Sequence, residues 1–523
     1  MFDILIRNGT VIDGTGSPRR QADVGLSQDR ITAIGDLSAA EATTTIDATG
    51  KMVAPGFIDV HNHTDGWLLK TEQLAAKTMQ GFTTEVIMAD GISYAPVNDQ
   101  TALEWTFYLR PLNALRLDEY RGWRSLGDYM EFADGKNVQN VIPHVPYANV
   151  RTLACGFGRQ AVDDFQMRQI CGEIRDGMEA GAVGLSTGLD YIAQCFSTTE
   201  ELVRACEAIA PYNGLYVTHM RYKTGIMNGL KEAVEIGRRA GVRVHISHLK
   251  GLSPDDIEPI LEYIDTEARH EVDLSFDVYP YQPGSTMLNY LLPYEVWEDG
   301  PLAAMTKMRE PAIKAKFAEG LKLYSLNLDH IRIAWVAGKE NSLHQGKTLA
   351  QYVVEMDLPA EEALFRLLLE EGLAVLLVFD QGDDRQIEPF LKHDLYMMGS
   401  DGIYHEKAHV HPRVFGSTGR LLGPLVRDRQ LFSLEEAVHK MTGVSAKRFG
   451  LIDRGELREN AFADVVVFDA KTVSDCATYA DPQQTCVGIE HVIVNGSSIV
   501  QNSQPLVVSG EQQPGRALKY SAS

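Results

Sequence analysis

The chain has 523 residues, 44% of them hydrophobic and 23% charged, and its formal net charge is −22. A chain this long and this apolar can bury a large core, and a decorated α/β barrel absorbs its length. The acidic balance speaks against a nucleic-acid partner, and no apolar run approaches the roughly 20 residues of a membrane span.

The first element is a strand-like run at residues 2–7, so no export signal is expected ahead of it. Residues 4–13 read as two short strands around Asn8-Gly9, a strong hairpin signal. From there to about residue 414, apolar strand-like runs alternate with helical periodicity, the signature of a parallel α/β architecture. A helix pattern at 163–180 leads into a strand at 182–187. A second unit is sharper, with strands at 214–219 and 242–248. The helix between them, 225–240, carries Ile226, Leu230, Ala233, Val234 and Gly237 at helical spacing.

Residues from about 284 to 345 break this rhythm and read as an insertion at the barrel's upper rim, where such segments commonly serve as lids. The apolar run 373–379 is strand-length. Further on, 463–468 is another strand pattern, and 491–500 repeat the hairpin signal around Asn495-Gly496. The two β-rich ends are expected to form one composite β-domain, 1–58 plus 415–509, attached to a barrel of 59–414. The polar stretch 510–523 reads as a loose tail. The six cysteines include no CxxC pair and read as reduced thiols of a cytoplasmic protein.

The first chemical constellation is an apolar run ending in His61-Asn62-His63. Residues two apart in a strand point to one side, so at a barrel strand's C-terminal end both imidazoles can bind one cation. Alone, such a pair is as readily structural. His219 and His248 change the balance, because each closes a strand and parallel barrel strands all end at the same face. One strand-end histidine is usually a satisfied polar group, whereas four at one face call for a metal. After a short apolar strand, Gly399-Ser400-Asp401-Gly402 is either a turn or the place of a metal-binding general base.

Further motifs run through nearly the whole chain: APGFIDVHNHTD, GFTT, STGLDY, THMR, SHLK, DVYPY with GSTML, GKTL, GSDG, HPR, KMTGVSAKRFGLIDRGEL and GIEHVIVNG. With these the chain resembles the amidohydrolase superfamily and, within it, the N-acyl-D-amino-acid deacylase (D-aminoacylase) family. The resemblance implies a (β/α)₈ TIM-like barrel and a metal-dependent hydrolase of linear amides. His61 and His63 then correspond to ligands of the more weakly held metal position, His219 and His248 to two ligands of the tight one. Asp401 corresponds to the metal-binding acid that moves protons. Lys250, Tyr281 and Arg413 correspond to groups that grip the substrate's α-carboxylate, a task suited to two cations and a hydroxyl.

Two positions depart from the family. Its cysteine thiolate, in an Asn-Cys-Gly after the second strand, is replaced by Ala89-Asp90-Gly91. Asp90 is either an oxygen ligand in the thiolate's place, a harder donor that changes metal preference, or a turn residue. The family's acidic pair after THMR is replaced by Tyr222, Lys223 and Thr224. The implied cofactor is one or two divalent ions, zinc first, with manganese or cobalt admitted by Asp90.

The expected reaction is hydrolysis of an N-acyl-D-amino acid to a carboxylate and a D-amino acid, with Asp401 moving the proton. The partner is then a small amide with a free carboxylate, and homo-oligomerisation stays open. A rival is a cyclic amidase of the hydantoinase or dihydropyrimidinase kind. Those enzymes use a carboxylated lysine at the end of the fourth strand, where Ser186-Thr187-Gly188-Leu189-Asp190 stands here. The alternative of another class is a catalytically inactive barrel that acts as a binding protein. Such relatives usually lack ligands.

Overall fold

The computed structural model describes residues 1–323, 326–508, 510 and 512–521. Its N-terminal part is a sheet of β1 (Phe2–Val11), β2 (Arg20–Ser27), β3 (Arg30–Gly35), β4 (Ala42–Asp47) and β5 (Met52–Pro55). The hairpin expected at Asn8-Gly9 is instead a bulge inside β1: Asn8 takes φ 61°, and the register against β2 shifts between Ile6 and Gly9. The strand continues because Asp23 and Asp47 accept hydrogen bonds from the Asn8 backbone and side chain.

The barrel strands follow: β6 (Phe57–Asp59), β7 (Phe82–Ile87), β8 (Asn140–Pro143), β9 (Val145–Pro146), β10 (Gly184–Gly188), β11 (Leu215–His219), β12 (Arg243–Ile246) and β13 (Leu274–Val278). Each pairs in parallel with the next, except that β8 and β9 are one strand interrupted at His144. Apolar residues of several strands, among them Ile58, Val86, Ile142 and Val217, share one buried cluster. The connecting helices are amphipathic as the pattern requires. In α1 (Asp164–Ala180) the Asp163 side chain caps the N-terminus, and Gly181 ends the helix at φ 112°. In α2 (Ile226–Ala240) Ile226, Leu230, Ala233, Val234 and Gly237 are buried.

After β13 the chain leaves the barrel for longer than the sequence indicated. β14 (Ser285–Met287), β15 (Ile331–Val336) and β16 (Val375–Phe379) form a separate antiparallel sheet, so the excursion beginning near 284 extends well past 345. The apolar run 373–379 belongs to this sheet and not to the barrel. The barrel resumes at β17 (Tyr396–Met398), which lies parallel to β13. Closure follows against the first strand: Val60 N donates to Met398 O at 3.3 Å, Asp401 N to His61 O at 2.7 Å and His63 N to Gly402 O at 3.1 Å.

Residues beyond 415 do not pass straight into the β-domain. They are helical first, and α3 (Leu434–Met441) packs on β17 and β6 as a barrel helix. The terminal strands are β18 (Val465–Phe468), β19 (Ile489–Val494), β20 (Ser497–Gln501) and β21 (Gln504–Pro505). β18 joins β5, which fuses both chain ends into one sheet. Asn495 at φ 47° and Gly496 at φ 80° make the two-residue turn between β19 and β20. Of the expected loose tail, residues 511, 522 and 523 lie outside the described residues. The rest is held by the barrel: Val141 N donates to Arg516 O, Leu518 N to Val141 O and Tyr520 N to Gly181 O, at 2.9, 2.7 and 2.9 Å. Polar composition gave no sign of these backbone bonds.

Candidate metal centre and active site

Every candidate ligand stands at or just past a barrel strand's C-terminal end. His61 and His63 follow β6, Asp90 follows β7, His219 ends β11, His248 follows β12 and Asp401 follows β17. Asp90, His248 and Asp401 have φ of 57°, 39° and 48°. Backbone in this left-handed region is uncommon for residues with a side chain, and when held in place it marks functional sites. At Gly399 a Cβ would lie 2.6 Å from Asp277 Oδ1 and 2.8 Å from the His61 Cβ, so only glycine lets β17 approach this centre.

Asp90 lies at the middle. Its Oδ1 is 3.6 Å from His61 Nε2, and its Oδ2 is 3.6 Å from His63 Nε2 and 3.7 Å from His219 Nδ1. His219 Nδ1 is 3.0 Å from His248 Nε2. Two triads, His61–His63–Asp90 and Asp90–His219–His248, therefore share Asp90, and the ligand atoms of each lie within 4.8 Å of one another. Donors bound at about 2.0–2.2 Å to a common ion stand about 3–4 Å apart, as most of these do. His61 Nε2 and Asp90 Oδ1 are buried with no hydrogen-bond partner. Such orphaned atoms aimed at one another's neighbourhood fit a divalent cation. Asp401 Oδ1 completes the ring, 3.3 Å from His63 Nε2 and 3.8 Å from His61 Nε2.

The charge balance points the same way. Burial opposes a proton on His61, but Asp277 and Asp90 outweigh it and raise its pKa to about 10. His219 is likewise disfavoured by burial and lifted to about 9 by Asp190 and Asp90. Burial and the neighbouring His219 lower His248 to about 3. Burial disfavours the Asp401 carboxylate as well, yet Arg413 and His63 hold it well below the usual range. A site so favourable to positive charge suits a metal ion, which competes with protons for the same nitrogens.

Outer partners face three of the four imidazoles, those of His61, His219 and His248. Asp277 Oδ2 is 3.4 Å from His61 Nδ1 and 3.0 Å from His245 Nε2, while its Oδ1 accepts the His248 backbone N–H at 2.9 Å. Asp190 Oδ2 is 3.5 Å from His219 Nε2 and accepts from Tyr222 N and the Tyr290 hydroxyl, both at 2.9 Å. The Tyr222 hydroxyl is 3.2 Å from His248 Nδ1. Beneath His61, buried Lys77 pairs with Asp59 and donates to Ser400 Oγ at 2.6 Å. Sequence reasoning gave no role to Asp277, Asp190 or Asp59. The available signal was a lone acid in an apolar strand, such as Asp277 in Leu274–Val278, because a buried carboxylate needs partners.

The ligands open into a cavity of about 230 Å³ lined also by Lys250 and Tyr279. Lys250 Nζ donates to the Tyr279 hydroxyl at 2.6 Å, and the Arg413 guanidinium lies over the Tyr279 ring, 4.2 Å from its centroid. Arg413 Nη1 is 3.0 Å from Asp401 Oδ2, an ion pair off the line of a directed hydrogen bond. Burial beside Arg413 lowers Lys250 to about 7. Of the residues grouped with Lys250 from the sequence, neither Arg413 nor Tyr281 lines this cavity; Arg413 is buried against the lining Tyr279, whereas Tyr281 is turned elsewhere. Its hydroxyl is 3.3 Å from Asp475, and Arg420 covers its ring.

A closed parallel barrel with histidines and carboxylates converging at its C-terminal mouth is the build of a metal-dependent barrel hydrolase. Comparison with known proteins narrows this. The profile of the Amidohydrolase family matches residues 44–268 and 364–500, and the gap falls largely on the excursion around β14 to β16. The chain is 36% identical to an N-acyl-D-glutamate deacylase and 35% identical to a D-aminoacylase, both of Alcaligenes xylosoxydans xylosoxydans. The matches cover 100% of this chain and 97% and 98% of those proteins. The crystal structure of N-acyl-D-glutamate deacylase from Bordetella bronchiseptica, complexed with zinc and a phosphonate inhibitor that mimics the tetrahedral intermediate, superposes with a TM-score of 0.84. That match is at 32% identity and covers 99% of each chain. The chain belongs to the amidohydrolase family.

Proposed function

We propose that this protein is a metal-dependent deacylase that hydrolyses N-acyl-D-amino acids to a carboxylate and a D-amino acid. The observation that carries the reading is the position of Asp401. One carboxylate oxygen faces His63 in the ligand cluster, and the other faces Arg413, which stacks on the cavity-lining Tyr279. Full-length similarity to deacylases of N-acyl-D-amino acids supports the substrate class.

His61, His63, Asp90, His219, His248 and Asp401 would hold the metal. When bound, a divalent ion polarises the scissile carbonyl and acidifies water. Asp401 accepts a proton from the attacking water as the new C–O bond forms. It passes that proton to the amide nitrogen as the C–N bond breaks, so the amine leaves neutral. Lys250 and Arg413, with the Tyr279 hydroxyl in the place the sequence assigned to Tyr281, orient the substrate through its carboxylate. Zinc is the proposed native ion, and the shared carboxylate of Asp90 supports a two-ion centre open to manganese or cobalt as well. No lysine lies in β10 (Gly184–Gly188), which counts against the carboxylated-lysine chemistry of cyclic amidases.

The test is turnover of a panel of N-acetyl-D-amino acids, their L-enantiomers and cyclic imides by zinc-loaded protein. The reading expects hydrolysis confined to the D-compounds and abolished by chelation. Turnover of the cyclic imides alone, or undiminished activity without metal, overturns it.

A further inference from the structure

Three features bear on the part of the substrate that the carboxylate clamp and the metal ligands do not engage. First, Lys250 is the one Lys or Arg side chain among the described residues lining the cavity. Two of its three N–H groups are already committed, to the Tyr279 hydroxyl and to Gln282 O, each at 2.6 Å. One remains for a single substrate carboxylate.

Second, Leu252 stands two residues beyond Lys250 at the same cavity and is 70% exposed. An exposed leucine in a binding cavity is apolar surface that a bound ligand would cover. Third, Phe379 closes the same side. Its backbone N–H donates to Gly284 O at 2.9 Å, and a Cβ at Gly284 would lie 3.7 Å from Lys250 Nζ. Leu252 and Phe379 are therefore neighbours of the group assigned to the α-carboxylate. In any α-amino acid the side chain leaves from the carbon that bears that carboxylate, so it must fall beside Lys250. Leu112, Ile403, Tyr191 and Tyr290 also line the cavity, and the polar groups beside them, on Tyr222, Ser285 and Thr286, carry no charge.

Resting on the deacylase reading, we propose that Leu252 and Phe379 form an apolar seat for the substrate's side chain. The protein then acts on D-amino acids with neutral, apolar side chains and discriminates against acidic ones, unlike the D-glutamate deacylases it resembles. An acidic side chain would bring a second carboxylate into an apolar seat, with no Lys or Arg among the described lining residues besides Lys250, which the α-carboxylate already engages.

The experiment compares kcat/KM for N-acetyl-D-leucine, N-acetyl-D-methionine, N-acetyl-D-glutamine and N-acetyl-D-glutamate on zinc-loaded protein. Glutamine and glutamate share a shape, so their ratio isolates charge. Leucine and methionine should exceed glutamate by about 100-fold or more, and glutamine should also exceed it. The Leu252→Arg variant, at an exposed position that tolerates the change, should raise the glutamate-to-leucine ratio about tenfold or more. Glutamate within about tenfold of leucine in the wild type, or an unchanged ratio in the variant, overturns the proposal. If no N-acyl-D-amino acid is turned over, the deacylase reading fails separately. Calorimetry with N-acetyl-D-leucine and N-acetyl-D-glutamate then still reads the seat: tighter binding of the leucine compound upholds it, and equal or tighter binding of the glutamate compound overturns it.

Discussion

Asp401 touches both halves of the site, the ligand His63 and the cation Arg413. Its replacement should therefore be costly in rate. Asp401→Asn keeps the shape and removes the base, and kcat is expected to fall about 10²–10⁴-fold with the fold intact by circular dichroism. A variant with near-normal kcat would move the proton transfer elsewhere. The two tyrosines around Pro280 separate by a milder test. Tyr279→Phe should raise KM for carboxylate-bearing substrates, whereas Tyr281→Phe, whose hydroxyl faces Asp475, should leave KM near the wild-type value. These residues also mark where sequence reasoning reached its limit. The four histidines were legible because each follows an apolar run, and chain direction alone puts such positions at one face. Which tyrosine meets the cavity was not legible, since both lie beyond β13 in a turn to which the two-residue strand period does not apply.

At the scale of elements, β13 does more than carry its own apolar residues. Through Asp277 it reaches His61 on the ring nitrogen opposite the candidate metal side, and it anchors the His248 backbone. Loss of that carboxylate frees both ligands to rotate, so Asp277→Asn should weaken metal affinity about 10–100-fold in a chelator competition. Unchanged affinity would show that ring packing alone orients the imidazoles. The alternation of strand and helix was plain enough to reveal the barrel, but it concealed the length of the excursion after β13. β15 and β16 are apolar strands with helices between them, and local pattern does not say that they pair antiparallel outside the barrel. The polar C-terminal stretch misled for a related reason, because its ties to the barrel are backbone bonds that carry no side-chain signature.

For the whole molecule, the candidate ligands come from the first, second, fifth, sixth and last strands of the ring. A bound ion therefore ties together parts of the chain that otherwise meet only through the barrel. Ligand binding confined to the folded state stabilises it by about 2.7 kcal/mol when free ligand is 100-fold above Kd. Zinc should accordingly raise Tm, and chelation should lower it together with hydrogen-exchange protection near residues 61–63 and 399–402. A Tm indifferent to metal would mean that the ion is not held across the ring. The place where the ring closes has one more consequence. Asp59 and Ser400, 341 residues apart, are hydrogen-bonded directly beneath the site, and Asp401 N meets His61 O across the same junction. A ribosome must therefore make nearly all of the barrel before the centre can exist. The growing chain carries histidines but no hydrolase, and activity switches on only when the last strand emerges and folds home.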